Sequence, residues 1–595
     1  MKKLLFLILI TGLVWIYSPA QQKVVTISAN QDRGPFNLVV GTNCGPHGFI
    51  YDIDYTQIFK DLGIKAIRTH DYYGPSDWYT IFPDWNLDPD NPASYNFTST
   101  DSVIAKIVSG GFDVLFRIGP SWNDPVREYH TDPPGTIRDA LGNVIHAADT
   151  SDFVKFANIC KNIVRHYNEG WANGYFYNIK KWEVWNEPTL EEHFWSGTPL
   201  QFYHMFEKVV KTLKSYDSSL KVGGPGLAGG YKVAYREGLI TYCSQNNIPL
   251  DFFSFHCYGW NPQTDLTTPN EYLSRAESLR QLLDSNGFFE TYLSCDEWNA
   301  GLNLGLFANS GKGAAFYVCA LAAFVDLNIP ECYQYRADDH AIGLIRQDGS
   351  LKKAAYALKA WKMLAESTIR LETTGTEAQE FVALASRSSD HETMWILLSN
   401  FQNTTRQVDL RVNNISSQPA NGWLMSRKVI NNQLQLEEVE STLLDASNTL
   451  QLSIAIQPES VNLIRLTQVP IYAPLNFTGQ KVLNRSLSQA EYINVLSWQP
   501  NPDNIEIANY RIYEVSATQL SENRNLLSRT KINILLKRMI RSFWENTSLS
   551  LLAEVSSNTI EYWHRGIEKN ASYNYVIVAV NNSGKEGNPA YVTVQ

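Results

Sequence analysis

The sequence predicts an α/β chain: a (β/α)8 TIM barrel, followed by a β-sandwich and a second all-β domain. Three observations predict it. Short apolar runs rich in β-branched and aromatic residues alternate with longer helical stretches over residues 36–365. After about residue 366 helical periodicity fades and short alternating runs take over. The chain's 595 residues also exceed what one hydrophobic core organises.

The elements follow in order. Lys2 and Lys3 precede an apolar run from Leu4 to Tyr17, and Ser18-Pro19-Ala20 offers a small-residue cleavage site. Residues 1–20 therefore read as a secretory signal peptide, with a secreted or periplasmic product that keeps no stable membrane insertion. No other apolar run is long enough to span a bilayer. Eight strand candidates come next: Leu38–Thr42, Lys65–Thr69, Asp113–Ile118, Lys181–Trp185, Lys221–Gly224, Phe252–His256, Thr291–Glu297 and Cys332–Arg336. Helical patterns at Ser151–Asn168, Leu200–Tyr216, Tyr272–Asn286 and Gly311–Asp326 lie between them. Strands alternating with helices of this length build βαβ units and a parallel sheet, and eight of them suit a closed barrel at residues 36–365. A doubly wound open sheet is the structural alternative, but its dinucleotide glycine fingerprint is absent.

Residues 366–468 carry the alternating runs of an antiparallel β-sandwich, which strand 22–30 is placed to join. Pro470–Pro474 reads as a linker. Residues 470–595 form the last domain; the segments LSWQPN, YRIYEV and YNYVIVAVNNSGKEG resemble a fibronectin type III domain. Within it Ser528–Arg541 is a basic, apolar insertion that reads as a solvated helix or loop.

Formal net charge is −10 and no basic domain stands out, so a nucleic-acid surface is not expected. The 16 Trp and 31 Tyr suit a sugar cleft, where flat rings stack on pyranoses, but also a large β-rich protein. None of the seven cysteines has metal-ligand spacing; one or two disulfides are open, and the odd count leaves at least one thiol over unless chains pair. No calcium loop appears, and a reaction without metal or cofactor is expected.

Two segments carry chemistry. Lys181-Trp-Glu-Val-Trp-Asn-Glu-Pro188 begins as a strand and ends at Pro188, which leaves Asn186 and Glu187 where strand gives way to loop. In a barrel of this type the C-terminal strand ends form the reactive face. An acid held there beside Trp185 is desolvated, and desolvation raises a carboxyl pKa. Thr291-Tyr-Leu-Ser-Cys-Asp-Glu-Trp-Asn299 is a second strand run ending in a carboxylate, Glu297. Counted along the chain, the two glutamates end strands four and seven. Paired carboxylates about 5 Å apart across one cleft are what a retaining glycosidase uses. Glu183 and Asp296 read as buried carboxylates beside them.

These segments, with IRTHD (67–71), FANICKNIVRHYNEGW (156–171), GGPG (223–226), SFHCYG (254–259) and DEWN (296–299), resemble glycoside hydrolase family 39, which holds β-xylosidases and α-L-iduronidases. The resemblance implies Glu187 as acid/base and Glu297 as nucleophile. It gives Asn186 a hydrogen bond to the sugar 2-hydroxyl and His70 contacts to sugar hydroxyls. His256 and Tyr258 match a His-x-Tyr at the end of strand six, with Tyr258 lowering the Glu297 pKa. Trp122, Trp260, Trp298 and Tyr335 are candidates for an aromatic wall. Arg336, Asp338, Asp339 and His340 follow strand eight and stand where substrate substituents could be read; Arg336 keeps open the binding of a sugar carboxylate, although a salt bridge is the commoner role for such an Arg. The implied activity is an exo-acting β-xylosidase on an oligosaccharide or glycoside. Other sugars of the family, and a non-catalytic carbohydrate-binding barrel, are the alternatives.

Overall fold

A computed structural model describes residues 21–595 except 123–128, 229–232, 259–268, 301–306, 368, 378–379, 416–420, 446, 486–489, 505–506, 516–548 and 583. The expected signal peptide (residues 1–20), Trp260 and the basic stretch Ser528–Arg541 lie outside the described residues. No helix among the described residues is long and apolar enough to cross a membrane.

Eight parallel strands close into a barrel: β1 Val39–Asn43, β2 Ala66–Arg68, β3 Asp113–Ile118, β4 Lys181–Val184, β5 Lys221–Leu227, β6 Phe252–Tyr258, β7 Tyr292–Asn299 and β8 Glu331–Gln334. Each pairs with its neighbours in chain order and β8 closes on β1. All eight sequence-predicted strands are present; Asp113–Ile118 matches at both ends and the others differ by one to three residues at one or both ends. A helix follows every strand, from Thr56–Asp61 after β1 to Lys353–Ala365 after β8. The four expected helices appear as Thr150–Glu169, Pro199–Tyr216, Asn270–Ser285 and Gly311–Asp326. Thr150–Glu169 and Pro199–Tyr216 start in capping boxes, Asp149 with Asp152 and Thr198 with Gln201, which satisfy the first orphan amides.

The lower half of the barrel is filled by one apolar layer, Ala66, Leu115, Phe252 and Tyr333, from β2, β3, β6 and β8. Ala66, Phe252 and Tyr333 come from even-numbered strands, as in a barrel layer, and Leu115 joins them from β3. Above this layer the lumen turns polar and charged.

A nine-stranded sheet lies beside the barrel, and Gln21–Asp32 is inside it, antiparallel to Ile369–Thr374 and parallel to Arg406–Asn413. Its strands Phe381–Arg387, Thr393–Asn400 and Ser460–Gln468 are buried on both faces because they alternate between two cores. Val382, Leu384, Leu397, Val461 and Leu463 pack with the barrel. Ala383, Ala385, Ile396, Leu398, Ile464 and Leu466 form a separate core within the sheet. Helix Gly311–Asp326, apolar on nearly every side, is buried between barrel and sheet; Ser399 Oγ donates to its Ala315 carbonyl at 3.0 Å. Sheets of three and four strands at the C-terminus share a core that includes Trp498, Tyr510 and Ile577. All seven cysteines are buried and none is in a disulfide, so the bridges left open by sequence do not form.

The seam between barrel and sheet is testable. Leu397→Ala removes a fully buried side chain there and is expected to cost about 3 kcal/mol. Denaturant unfolding monitored by near-ultraviolet circular dichroism reads the loss; a cost under about 1 kcal/mol would show that the seam is loosely packed.

Candidate active site

The polar end of the lumen is organised around Arg68, the last residue of β2, whose side chain is wholly buried. Its Nε donates to Glu183 Oε2 at 2.5 Å, Nη1 to Glu297 Oε1 at 2.7 Å and to Asn43 Oδ1 at 3.1 Å, and Nη2 to Asn186 Oδ1 at 2.7 Å. Asp296 Oδ2 lies 3.0 Å from Nη2. One guanidinium thus ties together the ends of β1, β2, β4 and β7. Burial works to lower the Arg68 pKa, but Glu183, Asp296 and Glu297 outweigh it and hold the charge.

Gly226 shows how tightly the network is closed. Its φ is +61°, and a Cβ there would stand 3.2 Å from Arg68 Nη2, Asn186 Oδ1 and His256 Nε2. Its carbonyl accepts from the Glu187 amide at 3.0 Å, and its own amide donates to Ser254 Oγ at 2.8 Å. Ser254 in turn donates to Glu183 Oε1 at 2.6 Å.

The two predicted glutamates meet. Glu187, Glu297 and His256 each present a ligand-type atom within 4.8 Å of the others. His256 Nδ1 is 2.6 Å from Glu187 Oε1 and 3.3 Å from Glu297 Oε2. Burial works to lower the His256 pKa, but Glu297, Glu187 and Asp296 outweigh it and raise it, so the ring carries a proton toward Glu187. Tyr258 donates its hydroxyl to Glu297 Oε2 at 2.5 Å. His70 Nε2 lies 3.2 Å from Glu297 Oε1; burial and the charge on Arg68 push the His70 pKa well down, so this ring is neutral. Asn186 is buried with Oδ1 held by Arg68, and its Nδ2 takes no partner among the described residues. The spacing of Glu187, His256 and Glu297 would suit a metal ion, but His256 already bonds Glu187, and Arg68 and Tyr258 already bond Glu297. A second group, His146, Asp149 and Asp152, is the capping arrangement of helix Thr150–Glu169.

Glu297 faces the lumen because β7 has a bulge. Cys295 pairs with Phe255, yet Glu297 pairs with His256, so one extra residue stands between them. Asp296 and Glu297 therefore both point inward, and the alternation resets behind them. The bulge turns Trp298 outward, where it is fully buried against Tyr317 at 4.8 Å and Phe324 at 5.6 Å. Trp298 is thus a core residue and not part of an aromatic wall.

Other expectations are also corrected. Trp185 does not shield Glu187: its φ is +77°, and its ring packs outward on Trp195 at 5.2 Å. Burial pushes the Glu297 pKa up to about 7; His256, Arg68 and the Tyr258 bond pull it down, and Glu187 pushes it up. Tyr258 does act in the expected direction, but burial outweighs it. Arg336 is sealed: it makes a bidentate pair with Asp338 at 2.8 and 2.5 Å, is buried, and lies under the Phe49 ring at 4.8 Å. It presents no open charge to a sugar carboxylate. Trp122 stays at the site, its amide donating to Asp71 Oδ1 at 2.8 Å and its ring stacked on His193 at 4.1 Å. Tyr335 donates to Asp71 Oδ2 at 2.5 Å and lies between His70 and Tyr258. Glu183 and Asp296 are buried behind the two glutamates, as expected. The sequence reading gave no role to Arg68, Asn43 or Ser254; an arginine ending an apolar strand was the available signal.

The Tyr258 bond makes a prediction about charge. It favours ionised Glu297, so Tyr258→Phe is expected to raise the Glu297 pKa above about 7. Difference infrared spectroscopy of the carboxyl band against pH reads this; an unchanged or lowered midpoint would show that the bond does not govern the charge.

The family model of glycosyl hydrolases family 39 matches residues 25–343. A β-xylosidase of Caldicellulosiruptor saccharolyticus is 24% identical over 429 residues, 64% of this chain and 82% of that protein. A β-xylosidase of Geobacillus stearothermophilus is 23% identical over 297 residues, 47% of this chain and 56% of that protein. Among solved structures, a glucosidase from Croceicoccus marinus superposes with a TM-score of 0.63 at 26% identity, covering 75% of this chain and 99% of that one. A bacterial orthologue of human α-L-iduronidase shares the fold over 96% of this chain and 99% of its own, with a TM-score of 0.55 at 13% identity. With a closed eight-stranded barrel carrying two glutamates at the ends of β4 and β7, and the family match running through both, the chain belongs to glycosyl hydrolases family 39 and is a glycoside hydrolase.

Proposed function

We propose that the protein is an exported retaining glycosidase of β-xylosidase type, with Glu187 as acid/base and Glu297 as nucleophile. The observation that carries this reading is the approach of the two carboxylates, oxygen to oxygen within 4.8 Å. Retaining enzymes hold their carboxyl groups about 5 Å apart, whereas inverting ones leave room for a water between.

The chemistry follows from the groups around each glutamate. Ionised Glu297 attacks the anomeric carbon, the bond from that carbon to the leaving oxygen breaks, and protonated Glu187 gives its proton to that oxygen. Arg68 and Tyr258 aim the Glu297 carboxylate. Glu187 then takes a proton from water, which attacks the same carbon and releases the Glu297 carboxylate. His256, bonded to Glu187, fixes its orientation through both steps. The Asn186 amide donates to the sugar 2-hydroxyl, a bond that strengthens as positive charge grows at the ring.

The sugar reading rests on the names of the relatives and on charge. The relatives from Caldicellulosiruptor saccharolyticus and Geobacillus stearothermophilus are β-xylosidases. The pairing of Arg336 with Asp338 argues against a uronic acid, whose carboxylate would meet a site lined by Asp71, Glu187 and Glu297. Export rests on the leader read in residues 1–20.

Two outcomes are expected. With p-nitrophenyl β-xyloside, Glu187→Gln and Glu297→Gln each lose roughly 10³-fold or more in kcat, and proton NMR of the wild-type reaction finds the β-anomer of xylose first. First appearance of the α-anomer would overturn double displacement, and turnover only of another glycoside would replace the sugar. The pH profile supplies the second. Attack needs ionised Glu297, so kcat/KM is expected to fall as pH drops through about 7. A flat profile down to pH ~5 would mean that Glu297 is ionised throughout that range or is not the nucleophile.

A further inference from the structure

The loop after β1 carries four large apolar side chains on its surface: Phe49, Ile50, Tyr51 and Ile53 are 46, 41, 60 and 42% exposed. Single exposed hydrophobics are ordinary, but a contiguous set marks a contact surface. This set is also held in place. His47 bridges Asp54, and the Gly48 amide donates to the Ile53 carbonyl at 2.8 Å, which closes the loop as a hairpin. The amides of Phe49 and Ile50 both donate to the buried Asp339 carboxylate, at 2.6 and 3.2 Å. A Cβ at Gly48 would lie 2.8 Å from both Asp339 Oδ2 and the Tyr55 ring, so the hairpin sits hard against the chain after β8.

Phe49 is the centre of the surface. The Arg336 guanidinium covers its ring at 4.8 Å, and Tyr73 and His340 flank it at 5.7 and 5.2 Å. A ring backed by a buried ion pair is a stiff platform. It is also continuous with the site: Arg336 follows Tyr335, Tyr335 lies against Tyr258, and Tyr258 donates to Glu297.

Its position on the rim gives it a side. Glu187 ends β4, and the leaving group lies where Glu187 delivers its proton. The platform sits at β8, β1 and β2, and β8 stands four strands from β4 around the ring, across the mouth. It therefore faces the non-reducing side of the cleaved sugar.

We propose that the Phe49 platform is an outer subsite that stacks a second pyranose on the non-reducing side of the sugar bonded to Glu297. This rests on the glycosidase reading above and extends it: the enzyme takes a chain or branch past the cleaved residue, and is not confined to single terminal sugars.

The test holds the leaving group constant. The full chain is assayed on p-nitrophenyl β-xyloside and p-nitrophenyl β-xylobioside, with products separated by chromatography, for wild type, Phe49→Ala and Phe49→Trp. The expected result is direct release of xylobiose by wild type, roughly tenfold lower kcat/KM for that release in Phe49→Ala, and recovery in Phe49→Trp. Monoside turnover is expected to stay within about twofold in all three. Release of xylose alone from the bioside by a wild type active on the monoside would overturn the subsite and leave the glycosidase reading intact. Equal loss on both substrates would overturn it too, by showing that Phe49 acts through Arg336. If neither substrate is cleaved, calorimetry with xylobiose decides: weaker binding by Phe49→Ala supports the platform, and equal or no binding removes it.

Discussion

A guanidinium cut off from water has to be neutralised where it lies, and Arg68 imposes that condition on the whole upper lumen. It reaches Glu183 on β4, Asp296 and Glu297 on β7, and the side chains of Asn43 and Asn186. Taking one partner from such a buried group leaves an uncompensated charge and costs about 3–5 kcal/mol. The positions of Glu297 and Asn186 are therefore set by the same electrostatic demand that keeps the barrel interior stable.

The network also divides its protons. Burial lifts the Glu183 pKa, with Asp296 adding to it against the pull of Arg68. Asp296 is buried too, but Arg68 and His256 hold it down at about 2. Negative charge thus concentrates on Asp296 behind the site, and Glu297 in front is left near the boundary between its two forms. Glu187 stands within 4.8 Å of this carboxyl, so the charge on each glutamate bears on the other.

The frame around the network is fixed from outside. The chain leaves the nine-stranded sheet at Asp32 to enter the barrel and returns to it at Ile369, so both ends of the barrel are anchored in the same sheet. Helices Gly311–Asp326 and Lys353–Ala365, which follow β7 and β8, are pressed between barrel and sheet. The strand that carries Glu297 and the one that leads into Tyr335 are thereby both followed by a buried helix.

Much of this was legible in the order of residues. Alternating strand and helix patterns determined the barrel, because hydrophobic periodicity reports which face of an element must be buried. Strand runs ending in Asn-Glu-Pro and Asp-Glu-Trp determined which carboxylates stand at the reactive end, because strand polarity fixes which end that is. Tertiary structure alone decided the rest. Strict alternation along β7 would put Asp296 and Trp298 on one face and Glu297 on the other, and only the bulge set by pairing with β6 brings Glu297 in and sends Trp298 out. Arg336 is free or sealed according to whether Asp338 folds back onto it, and the Glu297 pKa according to how far burial exceeds the pull of Arg68, His256 and Tyr258. These are balances among residues up to 229 positions apart, and a linear pattern carries no distances.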